Sequence, residues 1–268
     1  MGENVSKECE ICAGDEWDLV YMGPVRDGAW CQLNDRSILN AARMCKGCGV
    51  IRLDRSMGAT EYQTEEYRKK LEEPVDAKGF FETHDSEQVF KLMRVNDLPI
   101  RGKKVLDVGA GPGAFLDYLR GVCAEISAVE PCRIYEEELF RKCKDVFNYV
   151  QSVPPSFKYD LITCFDTVEH VQDPLRLIQA AYKLLAPAGT LVVSTGEYEA
   201  MKAYAEPQSY FRTQHKWYWN QSAFESFYRW LMLVVGETHR PKSSLMTINE
   251  PQGPQMYLRI TKPITMNG

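Results

Sequence analysis

From residue 101 onward the chain repeats one arrangement, a short apolar run followed by an amphipathic stretch, and nothing else in the sequence restricts the fold as tightly. The runs "KKVLDVG" (103–109), "EISAVE" (125–130), "VFNYV" (146–150), "YDLITCF" (159–165) and "TLVVST" (190–195) read as strands. Between them "GAFLDYLR" (113–120), "RIYEEELFRKC" (133–143) and "DPLRLIQAAYKLLAPAG" (173–189) read as helices. Asp173 supplies an N-cap for the last of these, and Pro174 its first helical residue, where a missing N–H is tolerated. Strands alternating with helices form a parallel sheet covered by helices, an α/β fold. A helix near 221–231, a strand near 232–237 and a last strand "QMYLRIT" (255–261) complete the set.

The turn after the first strand, "DVGAGPGAF", carries Gly109, Gly111 and Gly113, which let the backbone turn sharply into a helix and approach a ligand. Several nucleotide-type cofactors use such loops, and the neighbouring residues narrow the choice. Asp107 stands at the strand end, where a carboxylate repels a pyrophosphate and suits an ammonium group. Pro112 removes a backbone N–H that a phosphate would use. Glu130 closes the second strand, in place to accept hydrogen bonds from two ribose hydroxyls.

The fourth strand runs into "FDTVEHVQDP", which puts Asp166, Glu169 and His170 at the carboxyl end of a sheet strand, where ligands collect in such folds. A turn of helix over 166–170 would set the three on one face. Three readings stand side by side. His170 can be a general base, with Glu169 orienting it or acting itself; the trio can hold zinc or magnesium; or the side chains can tie neighbouring loops together. The later segment "SYFRTQHKWYWNQSAF" (209–224) places Tyr210, Phe211, Trp217, Tyr218 and Trp219 around His215. Such rings stack on an acceptor or pack a lid against the sheet, and His215 is a second candidate base or substrate-binding group.

Cys9 and Cys12 form one C-x-x-C and Cys45 and Cys48 another, which offers one zinc ion four thiolates in a closed, structural site. Gly14 and Gly49 follow the two knuckles as turn residues, and Cys31 lies between them as a spare. The intervening apolar stretches suffice only for a small ribbon, so a metal would supply much of its folding energy. The other reading is two unrelated pairs of buried cysteines. Nine cysteines cannot all pair within one chain, and in a reducing compartment metal binding is the expected use of the clustered ones. Residues 59–100 are charged, with Val89, Leu92 and Met93 at helical spacing, and read as one or two helices; His84 beside Asp85 reads as a solvated helix end. The expected organisation is a zinc ribbon over 1–58, a helical linker or lid over 59–100, and the α/β domain over 101–268.

A net charge of −5 speaks against a nucleic-acid partner held through its phosphates. The opening "MGENVSKECE" lacks the apolar stretch of a signal peptide, and "WLMLVV" (230–235) is too short to span a bilayer. The expectation is a cytoplasmic protein with no membrane partner.

Taken in order, "LDVGAGPG", "AVEP", "YDLITCFDTVEHVQDP" and "LLAPAGTLVVST" resemble the successive motifs of class I S-adenosylmethionine-dependent methyltransferases, over residues 101–262. The resemblance is nearest to the branch with Glu-His after the fourth strand, as in quinone-biosynthesis O-methyltransferases and sugar methyltransferases. The knuckles ending in "CKGCGVIRLDR" resemble those of bacterial methyltransferases that modify surface polysaccharides and deoxysugars. What this implies is a Rossmann-like seven-stranded sheet, S-adenosylmethionine as cofactor and zinc as a structural ion. By the same resemblance Gly109, Ala110, Gly111 and Gly113 pass the methionine part of the cofactor, Asp107 lies near its amino group, and Glu130 holds the ribose. Pro131 and Gln151 line the adenine, and Phe165 and Asp166 complete the pocket. The family often has an acidic residue where this chain reads "VQS" (150–152), so Gln151 or backbone groups take over that recognition. Ala188 stands where the family's turn has glycine. The expected reaction is methyl transfer to a small hydroxylated acceptor, a sugar or nucleotide sugar, with His170 or Glu169 as base. A ribosomal RNA methyltransferase and a non-catalytic zinc-ribbon interaction protein are the alternatives.

Overall fold

A computed structural model of the chain describes residues 7–27, 37–57, 63–65, 69, 74–202, 206, 210–236 and 241–264; Cys31 and most of 58–73 lie outside them. The N-terminal part is an antiparallel ribbon of β1 (Trp17–Arg26), β2 (Ser37–Cys45) and β3 (Ile51–Leu53). Helix α1 (Ala77–Met93), N-capped by the Asp76 side chain, leads to the main sheet. There β4 (Lys104–Val108), α2 (Ala114–Asp117), β5 (Glu125–Val129), α3 (Glu136–Lys142), β6 (Asp145–Phe147), β7 (Tyr159–Cys164), α4 (Pro174–Lys183) and β8 (Leu185–Gly196) alternate. The short α5 (Tyr198–Met201), β9 (Trp217–Tyr218), α6 (Gln221–Val235) and the hairpin β10 (Lys242–Glu250) and β11 (Gly253–Thr261) follow.

The spatial order is β10-β11-β8-β7-β4-β5-β6, with β11 antiparallel to both neighbours and the rest parallel. This is a mixed seven-stranded sheet of the Rossmann-like kind. Val105, Leu106 and Val108 are buried, as the near-continuous apolar runs of a doubly covered parallel sheet require. Crossovers leave β4 toward β5 on one side, and the chain returns beside it as β7. The crevice at the carboxyl ends of β4 and β7 is the topological switch point where ligands bind in this architecture.

Four elements differ from the sequence expectation. Helix α4 stops at Lys183 and β8 begins at Leu185, because Pro187 pushes the preceding residue out of helical conformation. The strand expected near 232–237 is absent: residues 232–235 are the last turn of α6, closed by Gly236 at φ 66, and residue 237 lies outside the described residues. The seventh strand is β10, whose sequence "KSSLMTINE" looks polar because it is an exposed edge strand. The helix expected over 113–120 shortens to a single turn, Ala114–Asp117.

The ribbon is stitched to the sheet domain. β9 extends it as a fourth strand, with Arg52 opposite Trp217 and Ile51 opposite Tyr218. Trp217, Trp219, Phe224 and Phe227 share one core with Ile11, Cys48 and Val50. Tyr210, Phe211 and Tyr218 pack with Val25 and Leu53. The five rings of 210–219 are therefore core residues, not a stacking platform for an acceptor. At the seam Arg52, 2% exposed, lies over the Trp17 ring at 4.1 Å and donates to Glu10 Oε2 at 2.7 Å, while Lys216 Nζ lies 2.8 Å from Glu10 Oε1. No helix among the described residues is long and apolar enough to cross a membrane.

Ala188 carries φ 62, a left-handed conformation that costs a residue with a Cβ about 1–2 kcal/mol. Ala188→Gly should raise the free energy of unfolding by about 1 kcal/mol, measured in urea; an unchanged or lower value would show that Ala188 is unstrained.

Candidate active site

A cavity of about 270 Å3 opens in the crevice beyond β4 and β7. Its floor is the turn after β4. Gly109 sits at φ 78 with its N–H donating to the Val129 carbonyl at 2.8 Å, and a side-chain carbon there would run into Thr167 Oγ1. Gly111, at φ 54, donates its N–H to Glu130 Oε2 at 2.8 Å, and Cys132 N–H donates to Glu130 Oε1 at 2.7 Å. Two backbone donors thus orient the Glu130 carboxylate at the rim of the cavity. Ala110, Pro131 and Phe165 also line it, the Phe165 ring lying edge-on to Phe115 and Tyr257 at 5.1 and 6.3 Å. Gly113, at φ 76, starts α2 outside the lining. Gln151 is exposed on the 3-10 turn Val150–Ser152 and does not line the cavity.

Asp107 is 4% exposed and accepts from Thr163 Oγ1 at 2.6 Å; burial pushes its carboxyl up to about 6. Asp166 lies at φ 49, in the left-handed region. Its Oδ2 is 3.0 Å from Lys91 Nζ, and its Oδ1 accepts from Ser194 Oγ at 3.2 Å. Burial alone would lower the Lys91 ammonium, but the charges of Asp166, Asp107 and Glu87 hold it above the ordinary lysine value. Lys91 belongs to a wall that the sequence reading missed. Phe80, His84, Glu87, Gln88 and Lys91 of α1 all line the cavity. Their spacing of four, three, one and three residues is one stripe of a helix, a signal present in the sequence. His84 is accordingly not a helix end: it sits within α1, stacked on Phe80 at 4.4 Å.

Beyond Asp166 the chain makes a turn rather than a helix, and the expected trio separates. Asp166 faces Lys91, and His215 takes its place beside Glu169 and His170. One ligand-type atom from each of Glu169, His170 and His215 lies within 4.8 Å of the others. The two imidazole rings meet edge-on at 4.5 Å. His170 also lines the cavity, and its Nδ1 lies 3.0 Å from the Gln214 carbonyl oxygen. A carbonyl only accepts, so Nδ1 carries the hydrogen and the neutral ring keeps its lone pair on Nε2. Glu169 is 4% exposed and its Oε2 has no hydrogen-bond partner among the described residues. Burial, followed by the charge of Asp166, pushes its carboxyl up to about 8, and burial holds His215 well below the ordinary histidine value. The cluster is fastened through the backbone, with Lys216 N–H and Trp217 N–H both donating to the Glu169 carbonyl at 2.8 and 3.2 Å.

At the far side of Trp217 the four cysteines of the knuckles converge. Cys9 Sγ lies 3.7 Å from Cys48 Sγ, Cys12 Sγ lies 3.5 Å from Cys45 Sγ, and all four sulfurs fall within 4.8 Å of one another. Four thiolates about 2.3 Å from one tetrahedral ion stand about 3.8 Å apart, so the residues present fit such an ion. The left-handed residue of the first knuckle is Ala13 at φ 57 rather than Gly14; the second uses Gly49 at φ 81, as expected.

Residues 83–240, more than half of the chain, match the family described as a methyltransferase domain. Among curated proteins, the ubiquinone biosynthesis O-methyltransferase of Thiobacillus denitrificans is 32% identical over 108 residues, 36% of this chain and 46% of its own length. That of Xanthomonas campestris pv. campestris is 36% identical over 105 residues, 35% and 43% of the two chains. The chain thus spans less than half the length of these relatives. Among solved structures, an S-adenosylmethionine-dependent methyltransferase of Thermotoga maritima shares 17% identity, with 75% of this chain and 99% of that one covered and a TM-score of 0.52. The N-methyltransferase NodS of Bradyrhizobium japonicum, solved with S-adenosyl-L-homocysteine, shares 14% identity over 76% and 98% of the chains, with a TM-score of 0.50. At these identities the two structures speak for the fold alone. The chain belongs to the methyltransferase-domain family of S-adenosylmethionine-dependent enzymes.

Proposed function

We propose that this protein moves a methyl group from S-adenosylmethionine to a hydroxyl of a small acceptor, and that His170 takes the hydroxyl's proton. The observation that carries the reading is the position of His170. It lines the same cavity as Asp107, Gly109 and Glu130, and the Gln214 carbonyl fixes its tautomer so that Nε2 is the accepting atom. The residues fit the cofactor: Gly109 leaves room where any side chain would close the turn, Asp107 suits an ammonium group, and Glu130 suits a ribose diol. When bound, the cofactor supplies a methyl on a positively charged sulfur, with a neutral thioether as leaving group. The protein's part is to align the acceptor, exclude water and remove a proton, the last contributing about a hundred- to ten-thousand-fold.

The α1 wall of His84, Glu87 and Gln88 supports a polyhydroxylated, sugar-like acceptor, since such side chains pair with several hydroxyls. A hydroxylated ring is the second reading, supported by the names of the ubiquinone O-methyltransferase relatives. A methyl-transfer screen over nucleotide sugars and over catechol-type rings separates them. The four-cysteine cluster we read as a structural zinc site, closed and without an open position.

His170→Ala should lower turnover at least about a hundredfold while calorimetry finds cofactor binding intact; a rate near wild type would end the base assignment. Asp107 must be ionised to hold an ammonium group, and it gains its proton at about 6. Cofactor affinity should therefore fall about tenfold per unit below that pH, and the fall should vanish in Asp107→Asn. The same proton is bound more tightly folded than unfolded, so the contribution of Asp107 to stability grows as pH falls from about 6 toward the ordinary aspartate range. Cys45→Ser should lower zinc content by about one equivalent and reduce the unfolding temperature. Unchanged zinc content would place the metal elsewhere.

A further inference from the structure

We infer that Lys216 is a positioning residue for His170, and that Glu10 in the first cysteine knuckle holds it to that task. The inference rests on the proposed reading of His170 as the base and adds what fixes that base in place. His170 stands in the turn between β7 and α4, and three residues at the start of β9 grip that turn. Lys216 N–H donates to the Glu169 carbonyl at 2.8 Å, and the Gln214 carbonyl accepts from His170 Nδ1 at 3.0 Å. Trp217 Nε1 donates to the Val171 carbonyl at 2.8 Å. Lys216 Nζ donates to Gln172 Oε1 at 2.7 Å and to the Gln172 carbonyl at 3.3 Å. Each residue from 169 to 172 is thus held by Gln214, Lys216 or Trp217. Lys216 holds both ends.

The remaining acceptor of Lys216 Nζ lies in the ribbon. Glu10 Oε1 is 2.8 Å away, so the three hydrogens of the ammonium have three acceptors. Glu10 stands between Cys9 and Cys12, and its Oε2 accepts from Arg52 at 2.7 Å. The Arg52 side chain is 3% exposed, that of Lys216 12% and that of Glu10 24%. An exposed pair of long side chains would restrain little, but charges withdrawn from water are weakly screened and hold their partners. Without the Glu10 charge, Lys216 would keep only neutral acceptors and would turn toward water, releasing Gln172. The base then loses its alignment, and at a transfer site a misplacement of about an ångström costs about a hundredfold in rate. The first knuckle therefore reaches the turn that carries His170 through one side chain, besides the core it shares with Trp217.

The test compares full-length Lys216→Met, Glu10→Gln and the double variant with wild type. Lys216→Met keeps the apolar stem and removes the ammonium. It should lower kcat about tenfold or more, while the acceptor KM and the cofactor affinity found by calorimetry stay within about twofold. Glu10→Gln should also lower kcat, and the double variant should be no slower than Lys216→Met, because the two side chains act as one unit. Effects that multiply would show two unrelated roles and overturn the inference. Each variant should keep the metal content of wild type; a slow variant that had lost metal would assign the effect to the ion and overturn the role of Lys216. Nitrogen-15 NMR of the histidine rings gives a readout apart from activity. The neutral His170 ring, identified by its absence in His170→Ala, should carry its hydrogen on Nδ1 in wild type, and the Nε2–H form should appear beside it in Lys216→Met. If Lys216→Met does not unfold cooperatively, Gln172→Ala, at an exposed position, takes its place with the same readouts. An unchanged kcat or an unchanged ring signal in the folded variant overturns the inference and leaves the proposed function standing. If the ring signal moves while His170→Ala keeps its turnover, the proposed function falls and the positioning stands.

Discussion

Two backbone hydrogen bonds, from Lys216 N–H and Trp217 N–H to the Glu169 carbonyl, hold together parts of the molecule that are far apart in the chain. On one side they place His215 against His170 and the Glu169 carboxylate. On the other, Trp217 begins β9, which completes the ribbon sheet beside β3. Because a buried carbonyl and two buried N–H groups must find partners, this junction has little freedom to slide. The cavity side of the sheet and the cysteine knuckles are thereby parts of one packed unit, with Trp217 and Trp219 in the core they share.

The charges around the cavity follow from the same geometry. Asp166 takes a left-handed conformation just past β7, and its carboxylate pairs with Lys91 at 3.0 Å. Strain of this kind persists where surrounding contacts over-determine it, and here Ser194 and Lys91 do so. Asp107 remains buried with only Thr163 as side-chain donor, which is why its carboxyl ionises late. A cationic group arriving from a ligand would favour the charged form of that carboxylate.

The ribbon contributes little core of its own, and the cluster of four sulfurs lies where its knuckles meet α6. Gly49 approaches Ala223 and Asn220 at the start of that helix, and the Asn220 side chain accepts from Ala223 N–H as its N-cap. An ion in the knuckles would therefore steady the N-terminus of α6 and the strand before it, two residues away from His215. The metal-competent cysteines and the candidate catalytic histidines are coupled by packing, although they share no ligand.

The alternation of strands and helices, the glycine turn, Asp107, Glu130 and the two cysteine pairs were legible in the sequence, because each depends on local backbone geometry or on short spacing. Strand β10 was hidden because an exposed edge strand need not be apolar, and the end of α6 was misread because a short apolar run suits a helix face as well as a strand. Gln151 was placed by analogy with a motif, and its side chain points to solvent. The pocket wall on α1, the replacement of Asp166 by His215 and the burial of the aromatic segment were decided only by tertiary structure. Each requires knowing which surfaces meet across the sheet, and residues 91, 166 and 215 become neighbours of the same cavity and cluster only once α1, β7 and β9 have packed. Local order is written in short-range spacing. The site is set by long-range contacts, whose partners no short window of the sequence contains.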